Sequence, residues 1–276
     1  MRIVAWIGAL ALAAIAVFGW WYANARADPV FRRVTVPMAD WPAGARPVTV
    51  ALISDIHLGN ATMDAGRLSR IVAEVNAAHP DLVAMAGDFV AEHDPAVARQ
   101  AARDLVAPLR QLRAPLGVIA TLGNHDQSVP QVISAGLERA GVTVLDNRAV
   151  QRGPLVVIGI GDAFSRHDDV GAALASAAGL TGAQLVVSHS PDISIKLPAG
   201  LDLVLAGHTH CGQVVLPLIG PPKRFWLPAY RCGIVRRGTR TTIVSAGLGT
   251  SQVPLRWRAP PDVWLVRLVP LSRSRP

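Results

Sequence analysis

Side chains of three types, Asp, His and Asn, follow five short apolar runs that have the pattern of buried strands. In an open α/β sheet, ligands bind in the crevice beyond the carboxyl ends of the strands, so we expect these side chains at one edge of the molecule. Carboxylate, imidazole and amide groups together suit Mn, Fe or Zn ions better than a thiolate site would. The residues at the strand ends are Asp55 and His57, Asp88, the triplet Asn124-His125-Asp126, His189, and His208 with His210.

Each of these motifs is weak evidence by itself. A Gly-Asp pair after a strand is usually a turn, and a lone His after a strand is more often hydrogen-bonded than bound to a metal ion. The sequence His208-Thr209-His210 is more specific, because alternate residues of an extended segment face the same side. Five of the eight histidines belong to these motifs, and their order along the chain is far more specific than any single motif.

The order Asp-x-His, Gly-Asp, Gly-Asn-His-Asp, His, Gly-His-x-His resembles that of the calcineurin-like metallophosphoesterase superfamily, from about Val48 to Leu268. The resemblance is greatest to its bacterial membrane-anchored or exported branch, the YkuE-like and YaeI-like phosphodiesterases. That branch includes a UDP-2,3-diacylglucosamine pyrophosphatase. The segments typical of the branch are Gly207 to Gln213 with Leu216-Pro217, and Gly247 to Ser251 with Pro254, Arg256 and Pro260-Pro261.

The resemblance implies two divalent metal ions and a role for each motif residue. Asp88 would bridge the two ions, and His125 would be the catalytic His beside the leaving group. Two cations about 3.5–4 Å apart can stabilise both the attacking and the leaving oxygen of an in-line displacement, so no covalent enzyme intermediate is needed. The other ligands would be Asp55, His57 and His210 for the first ion, and Asn124, His189 and His208 for the second.

The sequence departs from the superfamily pattern at two places. In the protein phosphatases of the superfamily, an Asp three residues after the bridging Asp orients the catalytic His, and Ala91 stands at that position here. This argues against a protein phosphatase and leaves Asp126 as a candidate for holding His125. The aromatic residue that often follows the Gly-Asn-His-Asp motif is also missing, with Gln127 and Ser128 in its place.

Three further residues are secondary candidates. Asp162 ends a strand and is either a group behind the metal ligands or part of a plain turn. Arg256 either meets a substrate phosphate or lies on the surface, where most arginines lie. Cys211 adjoins two predicted ligands and is interpreted as a small packing residue rather than a redox switch. Two cysteines alone do not say whether Cys211 and Cys232 pair.

Alternating strand and helix patterns predict the elements that position these motifs. Leu68, Ile71, Val72 and Val75 share one face of a helix, and Val97 to Leu112 has a second helical pattern. Prolines and glycines then crowd the chain beyond the last His motif, which predicts a β-rich closing segment. The predicted strands are Val48 to Ser54, Asp81 to Ala86, Gly117 to Leu122, Val156 to Ile160, Gln184 to Ser188, Leu201 to Ala206, Thr241 to Ser245 and Val263 to Leu268.

This rhythm predicts a layered α/β domain. Together with the resemblance, it implies the calcineurin-like sandwich of two β-sheets flanked by helices, preceded by one N-terminal transmembrane helix. The predicted organisation is a transmembrane anchor or signal segment at 1–27, a proline-containing linker at 28–47, the catalytic domain at 48–270 and a tail at 271–276.

The N-terminal segment predicts a membrane anchor. Ile3 to Ala25 is apolar, without a charge, and long enough to cross a bilayer. Trp20 to Tyr22 closes the run as an interfacial aromatic belt would. A cleaved signal peptide, followed by export, is the alternative, because Ala25-Arg26-Ala27 resembles a cleavage site. We predict a single-pass protein of the bacterial inner membrane, and the three arginines at positions 26, 32 and 33 weakly favour a cytoplasmic catalytic domain.

The formal net charge of +8 comes almost entirely from Arg. It reflects either genomic composition bias or attraction to anionic lipid or a phosphorylated substrate. No block of basic residues alternates with aromatic residues, so no nucleic-acid partner is predicted. The oligomeric state stays open.

The predicted function is metal-dependent hydrolysis of a phosphodiester or pyrophosphate bond, with a lipid-linked substrate such as UDP-2,3-diacylglucosamine favoured. The alternatives are a general phosphodiesterase or phosphatase of soluble substrates, and a non-catalytic, membrane-tethered metal-binding protein. The lipid-linked substrate is favoured by the anchor and by an apolar and basic segment that either sits among headgroups or packs the closing β segment. That segment comprises Val214 to Ile219, Lys223, Arg224, Phe225, Trp226 and Leu227.

Overall fold

The computed structural model describes residues 2–91, 94–222 and 227–271. Within these residues the chain forms six α-helices and twelve β-strands, joined by loops and short 3-10 turns. The helices are α1 (Arg2–Ala25), α2 (Ala65–Ala77), α3 (Pro95–Asp104), α4 (Val106–Leu109), α5 (Pro130–Arg139) and α6 (Val170–Ala177). The strands are β1 (Val30–Met38), β2 (Val48–Ile53), β3 (Leu82–Ala86), β4 (Val118–Thr121), β5 (Thr143–Val144), β6 (Arg148–Arg152), β7 (Leu155–Gly159), β8 (Ala183–Val187), β9 (Leu203–Ala206), β10 (Gly233–Arg237), β11 (Arg240–Val244) and β12 (Asp262–Pro270).

The strands form two mixed sheets of six. The first has the order β1-β12-β2-β3-β4-β5, and the second has the order β10-β11-β9-β8-β7-β6. Strands β2 to β5 run parallel, and β12 is antiparallel to β2. In the second sheet β7, β8, β9 and β11 are parallel, with β6 and β10 antiparallel at the edges. The two-sheet sandwich with flanking helices is therefore confirmed.

One apolar core lies between the sheets and another covers the outer face of each. Along β2, Val50 and Leu52 belong to the core between the sheets, whereas Ala51 and Ile53 pack against helices on the outer face. This alternation follows from the two-residue period of a strand. Helices α2 to α5 cover the first sheet, and α6 covers the second. The layers fix the relative positions of the strand ends, where the site residues lie.

Residues 28–47 differ from the linker that the sequence analysis expects. Val30–Met38 forms β1, which pairs with β12 in parallel along its whole length. Pro37 is tolerated because β1 lies at the edge of its sheet, where a missing N–H group costs no ladder hydrogen bond on the open side. The helix expected from Val97 to Leu112 is likewise two shorter helices, α3 and α4.

Among the helices in the described residues, α1 alone is long and apolar enough to cross a membrane, by length and composition. Its C-terminal end is attached to the domain. The Trp21 ring stacks on Trp257 with centroids 5.2 Å apart, and the Trp21 carbonyl accepts a hydrogen bond from the Arg256 main-chain N–H at 3.0 Å. The Arg67 guanidinium donates to the Ala27 carbonyl at 2.7 Å. The domain therefore follows α1 without a free connecting segment.

The apolar and basic segment that follows the last metal motif is only partly described. Lys223, Arg224, Phe225 and Trp226 lie outside the described residues. The described part pairs with the chain near Trp257, because Val215 N–H donates to the Trp257 carbonyl at 3.0 Å. At its turn, the side chains of Leu218 and Ile219 are exposed.

Candidate dinuclear metal site

The carboxyl ends of β2, β3, β4, β8 and β9 meet where the two sheets adjoin. Main-chain pairing continues past the strands: Asp55 N–H donates to the Gly87 carbonyl and His57 N–H to the Asp88 carbonyl, each at 3.0 Å. This continuation places the loops of neighbouring strands side by side. The structure brings together all the residues assigned as ligands, with His125 beside them: Asp55, His57, Asp88, Asn124, His189, His208 and His210.

The first group of side chains comprises Asp55, His57 and His210. The Nε2 atoms of His57 and His210 lie 3.1 Å apart, and His210 Nε2 lies 3.3 Å from Asp55 Oδ1. Two nitrogens that each lie about 2.1 Å from one ion are about 3 Å apart. The spacing of this group therefore fits a shared cation.

The second group comprises Asn124, His189 and His208. His189 Nε2 lies 3.1 Å from Asn124 Oδ1 and 3.1 Å from His208 Nδ1. Asp88 stands between the two groups, with its Oδ2 3.5 Å from His57 Nε2 and 3.3 Å from His189 Nε2. One carboxylate oxygen thus faces both groups, which is the arrangement that a bridging ligand requires.

The backbone at these positions is strained. Five of the assigned ligands have a positive φ, although none is a glycine. Such residues cost of order 1–3 kcal/mol each and persist where the surrounding structure fixes them, which is common at functional sites. The residues and their φ values are Asp55 (49°), His57 (49°), Asp88 (55°), His208 (69°) and His210 (49°).

Two glycines of the motifs are required because the backbone approaches the carboxylates closely. A Cβ atom on Gly123 would lie 2.2 Å from Asp88 Oδ1, and one on Gly207 would lie 2.3 Å from Asp55 Oδ2. Neither distance is physically tolerable. The glycine that precedes Asn124 and the one that precedes His208 therefore make room for the neighbouring carboxylate.

Burial and nearby charge shift the pKa of several groups in the site. Burial raises the pKa of Asp55 to about 6 and lowers the pKa of His57 to about 3. Burial also acts against the charges of Asp88 and His189, but their mutual attraction prevails. It holds the pKa of Asp88 well below, and that of His189 well above, the ordinary value. His57 is therefore a neutral imidazole near pH 7, as a metal ligand must be, and the oxygen and nitrogen donors of the site fit two divalent cations.

His125 is held by a main-chain carbonyl. Its Nδ1 lies 2.7 Å from the Ala91 carbonyl oxygen, at the position where the protein phosphatases have an orienting Asp. Asp126, the expected partner, is buried and accepts hydrogen bonds from the N–H groups of Asp88 at 2.9 Å and Gly123 at 2.8 Å. Asp126 therefore fixes the loops that carry the ligands rather than the His125 ring.

Arg256 and Asp162 have roles in the loops behind the site. Arg256 is fully buried, so both the phosphate contact and the surface position are wrong. Its guanidinium donates to the carbonyls of Ala246 and Gly247 at 2.7 and 3.1 Å, which stabilises the loop beside Asp55. Asp162 forms a turn by accepting from the Ser165 N–H at 2.8 Å, and its charge also acts to raise the pKa of His189.

Cys211 and Cys232 form a disulfide. This corrects the interpretation of Cys211 as a small packing residue. The bond ties the residue after His210 to the residue before β10, so it links a ligand-bearing segment to the second sheet.

Sequence reasoning missed two groups at the rim of the site. One is the Ala91 carbonyl. It was missed because every residue has a main-chain carbonyl, so the residue type does not identify the one that accepts from His125. The other is Phe164, an exposed side chain whose ring centroid lies 4.5 Å from that of His208. A single aromatic residue in a loop has no periodicity that would single it out.

Comparison with known proteins gives the chain a family. The calcineurin-like phosphoesterase family matches residues 48–212, which contain every assigned ligand. Phosphodiesterase YaeI of Escherichia coli K12 is 30% identical over 252 residues, covering 87% of this chain and 88% of YaeI. An uncharacterized metallophosphoesterase, YkuE of Bacillus subtilis 168, is 28% identical over 239 residues, covering 82% of this chain and 81% of YkuE.

A further relative is longer than this chain. It is an uncharacterized metallophosphoesterase of Helicobacter pylori J99, 29% identical over 239 residues. The match covers 83% of this chain but only 62% of that relative. Motif order, converging ligands and the family match agree, and the chain belongs to the calcineurin-like metallophosphoesterase family.

Proposed function

We propose that this chain is a dinuclear metal-dependent phosphoesterase that hydrolyses a phosphodiester or pyrophosphate bond of a lipid-linked substrate, such as UDP-2,3-diacylglucosamine. The observation that carries the proposal is the pair of ligand groups that share Asp88, whose Oδ2 lies within 3.5 Å of a histidine nitrogen of each group. On the pyrophosphate of that substrate, water would displace one phosphate to give UMP and the acyl sugar phosphate.

In the proposed mechanism, the two ligand groups would bind the metal ions, and His125 would transfer a proton. Two divalent ions, when bound, would lower the pKa of the attacking water and stabilise charge on the phosphoryl oxygens. Asp55, His57 and His210 would hold one ion, and the second group the other, with Asp88 common to both. The Ala91 carbonyl accepts from His125 Nδ1 and so orients the ring, and a protonated His125 would pass the proton of Nε2 to the leaving oxygen.

Membrane proximity favours the lipid-linked substrate. The end of α1 packs on the domain through Trp21 and Trp257, so the site stays close to the surface where an acylated substrate resides. The exposed Leu218 and Ile219 lie on a segment that pairs beside Trp257. Apolar side chains there can enter the headgroup region beside the aromatic end of α1. Cleavage after Ala27 would remove Trp21 from this contact, so we propose that α1 is kept as an anchor in the inner membrane.

We propose that the catalytic domain faces the oxidising side of the membrane. Disulfides persist in oxidising compartments and are rare in the cytosol, and Cys211 pairs with Cys232. Two of the three arginines that favoured the opposite orientation have partners in the fold. Arg32 Nε lies 2.8 Å from Asp262 Oδ2, and Arg26 Nη2 lies 3.6 Å from Asp64 Oδ2.

The alternative is a general phosphodiesterase of soluble substrates, which the similarity to phosphodiesterase YaeI favours. A third possibility is a metal-binding protein without catalysis. The test is hydrolysis of UDP-2,3-diacylglucosamine and of bis(4-nitrophenyl) phosphate by the purified full-length chain with added Mn. We expect both to be cleaved, with a higher kcat/KM for the acylated substrate, and chelation to stop both reactions. Cleavage of the aryl diester alone would support the general phosphodiesterase. Two bound ions without turnover of either substrate would support the non-catalytic metal-binding protein.

Asp88→Ala tests the site itself. Because this carboxylate serves both groups, its loss should remove most bound metal and lower turnover by more than the roughly 10–100-fold that loss of an outer partner of a metal ligand costs. Asp104→Ala, at an exposed position on α3, is the control and should behave as the wild type. Elemental analysis and aryl diester hydrolysis are the measurements. Near wild-type metal content in Asp88→Ala would rule out the dinuclear assignment.

A further inference from the structure

A cavity of about 540 Å³ is lined both by the end of α1 and by the segment that carries a metal ligand. Trp21 of α1 and His210, an assigned metal ligand, are both lining residues. Its volume is within the range of about 300–1,000 Å³ that ligand pockets usually have. Val214, Val253 and Leu255 contribute apolar wall.

Two of the polar side chains in the wall, those of Gln213 and Thr209, already have hydrogen-bond partners. Gln213 Nε2 donates to the carbonyls of Ser251 at 3.1 Å and Val253 at 2.7 Å, and Gln213 Oε1 accepts from the Ser251 N–H at 2.9 Å. Thr209 Oγ1 donates to the Arg231 carbonyl at 2.6 Å. These groups hold the wall together, so they are not available to a polar ligand. The cavity is suited to an apolar occupant.

The position of the cavity identifies the source of that occupant. Trp20 to Tyr22 lies near the C-terminal end of α1, and such aromatic residues prefer the level of the lipid headgroups. Trp21 is therefore an interfacial residue that also lines the cavity. A hydrocarbon chain that leaves the bilayer here exchanges one apolar environment for another, so its entry carries little of the cost that a polar cavity would impose.

We propose that this cavity binds an acyl chain of the lipid-linked substrate while its phosphoester lies at the metal site. The inference rests on the proposed hydrolysis of such a substrate, and it names the residues that would select an acylated substrate over a soluble one. Val253 and Leu255 are the specificity residues, and Trp21 forms the membrane side of the entrance.

A series of diesters that differ only in chain length tests the proposal. The full-length protein in phosphatidylcholine vesicles is given ethyl, octyl and dodecyl 4-nitrophenyl phosphate. We expect kcat/KM to be at least about tenfold higher for the dodecyl than for the ethyl ester, the effect of a well-filled apolar pocket. Val253→Asp, which places a charge in the wall, should lower that ratio by at least about tenfold.

The chain offers a matched control. Val97 lies on α3 and is 45% exposed, against 48% for Val253. Val97→Asp introduces the same charge outside the cavity and should keep the wild-type ratio. Leu255→Trp reduces the volume without adding charge and should move the preferred chain from dodecyl towards octyl. Equal ratios in the wild type, Val253→Asp and Val97→Asp would overturn the proposal.

A second measurement does not depend on turnover. Dodecyl phosphate with a photoactivatable diazirine at the chain end is incorporated into the vesicles, and labelled peptides are identified by mass spectrometry. Labelling of residues 251–255 in the wild type and Val97→Asp, and its loss in Val253→Asp, supports the cavity. Labelling confined to α1 overturns it. If no diester is hydrolysed at all, the proposed function fails while the labelling still decides whether the cavity takes the chain.

Discussion

At the scale of single residues, His125 differs from the metal ligands in how it is held. Its ring lies edge-on to His57 with centroids 4.7 Å apart, and a main-chain carbonyl accepts from its Nδ1. We expect His125→Ala to lower turnover by about 10²–10⁴-fold, the usual range for losing an acid–base group, with little change in metal content. Steady-state kinetics and elemental analysis on the same preparation measure both effects.

His79→Asn is the matched control for that variant. His79 is exposed and has a φ of 49°, and Asn tolerates this backbone region better than most residues. It should retain wild-type turnover. Loss of an ion from His125→Ala would instead make His125 a ligand, which its position within 4.8 Å of His57 and Asp88 ligand atoms permits.

The sequence predicted which residues gather at the site, because the carboxyl ends of parallel strands converge wherever such a sheet forms. It did not predict what Arg256 or Cys211 contacts. Arg256 binds carbonyls ten and nine residues away, and Cys211 pairs across 21 residues. Residue type does not predict such partners, because the geometry of the loops determines which acceptor or thiol lies within bonding distance.

At the scale of elements, the end of α1 belongs to the fold. Ala25 is fully buried and Trp21 stacks on Trp257. A chain that starts at Asp28 should be soluble but less stable than one that starts at Gly19. Losing the aromatic pair and its burial costs about 2 kcal/mol, which lowers Tm by about 4–8 °C in a domain of this size. Thermal unfolding of the two purified chains measures the difference.

Substitution of two neighbouring tryptophans tests whether the contact of Trp21 with the domain, rather than the mere presence of an aromatic residue, stabilises the fold. In the chain that starts at Gly19, Trp21→Ala should reproduce most of the loss in Tm. Trp20→Ala, at a position that is 55% exposed, should leave Tm unchanged. Equal Tm values for all four chains would show that α1 does not stabilise the domain.

Strand β1 was missed because its partner strand is distant in the sequence. Strand β1 pairs with β12, and the two partners Val30 and Asp262 are separated by most of the chain. The prolines near β1 suggested a linker, and local pattern carries no information about so distant a partner. The strands next to motifs were found because each is buried on both faces and forms a continuous apolar run.

At the scale of the whole molecule, the disulfide leads to a testable prediction about which side of the membrane the catalytic domain faces. The two cysteines are the only ones in the chain, and Cys232 is exposed. On intact spheroplasts, a membrane-impermeant maleimide should label the protein only after an impermeant phosphine reductant has been added. The Cys211→Ser, Cys232→Ser double variant should give no label. Labelling that requires cell lysis would place the domain in the cytosol and contradict the proposed orientation.

The attachment of α1 to the domain also has a kinetic consequence. With α1 in the membrane, as proposed, the catalytic centre would search for a lipid-linked substrate in two dimensions, by lateral diffusion within one leaflet. The quantity that governs its rate is then the mole fraction of substrate among the surrounding lipids, because confinement sets the effective concentration. Diluting the cell suspension would leave that rate unchanged, whereas expanding the membrane with unrelated lipid would slow it.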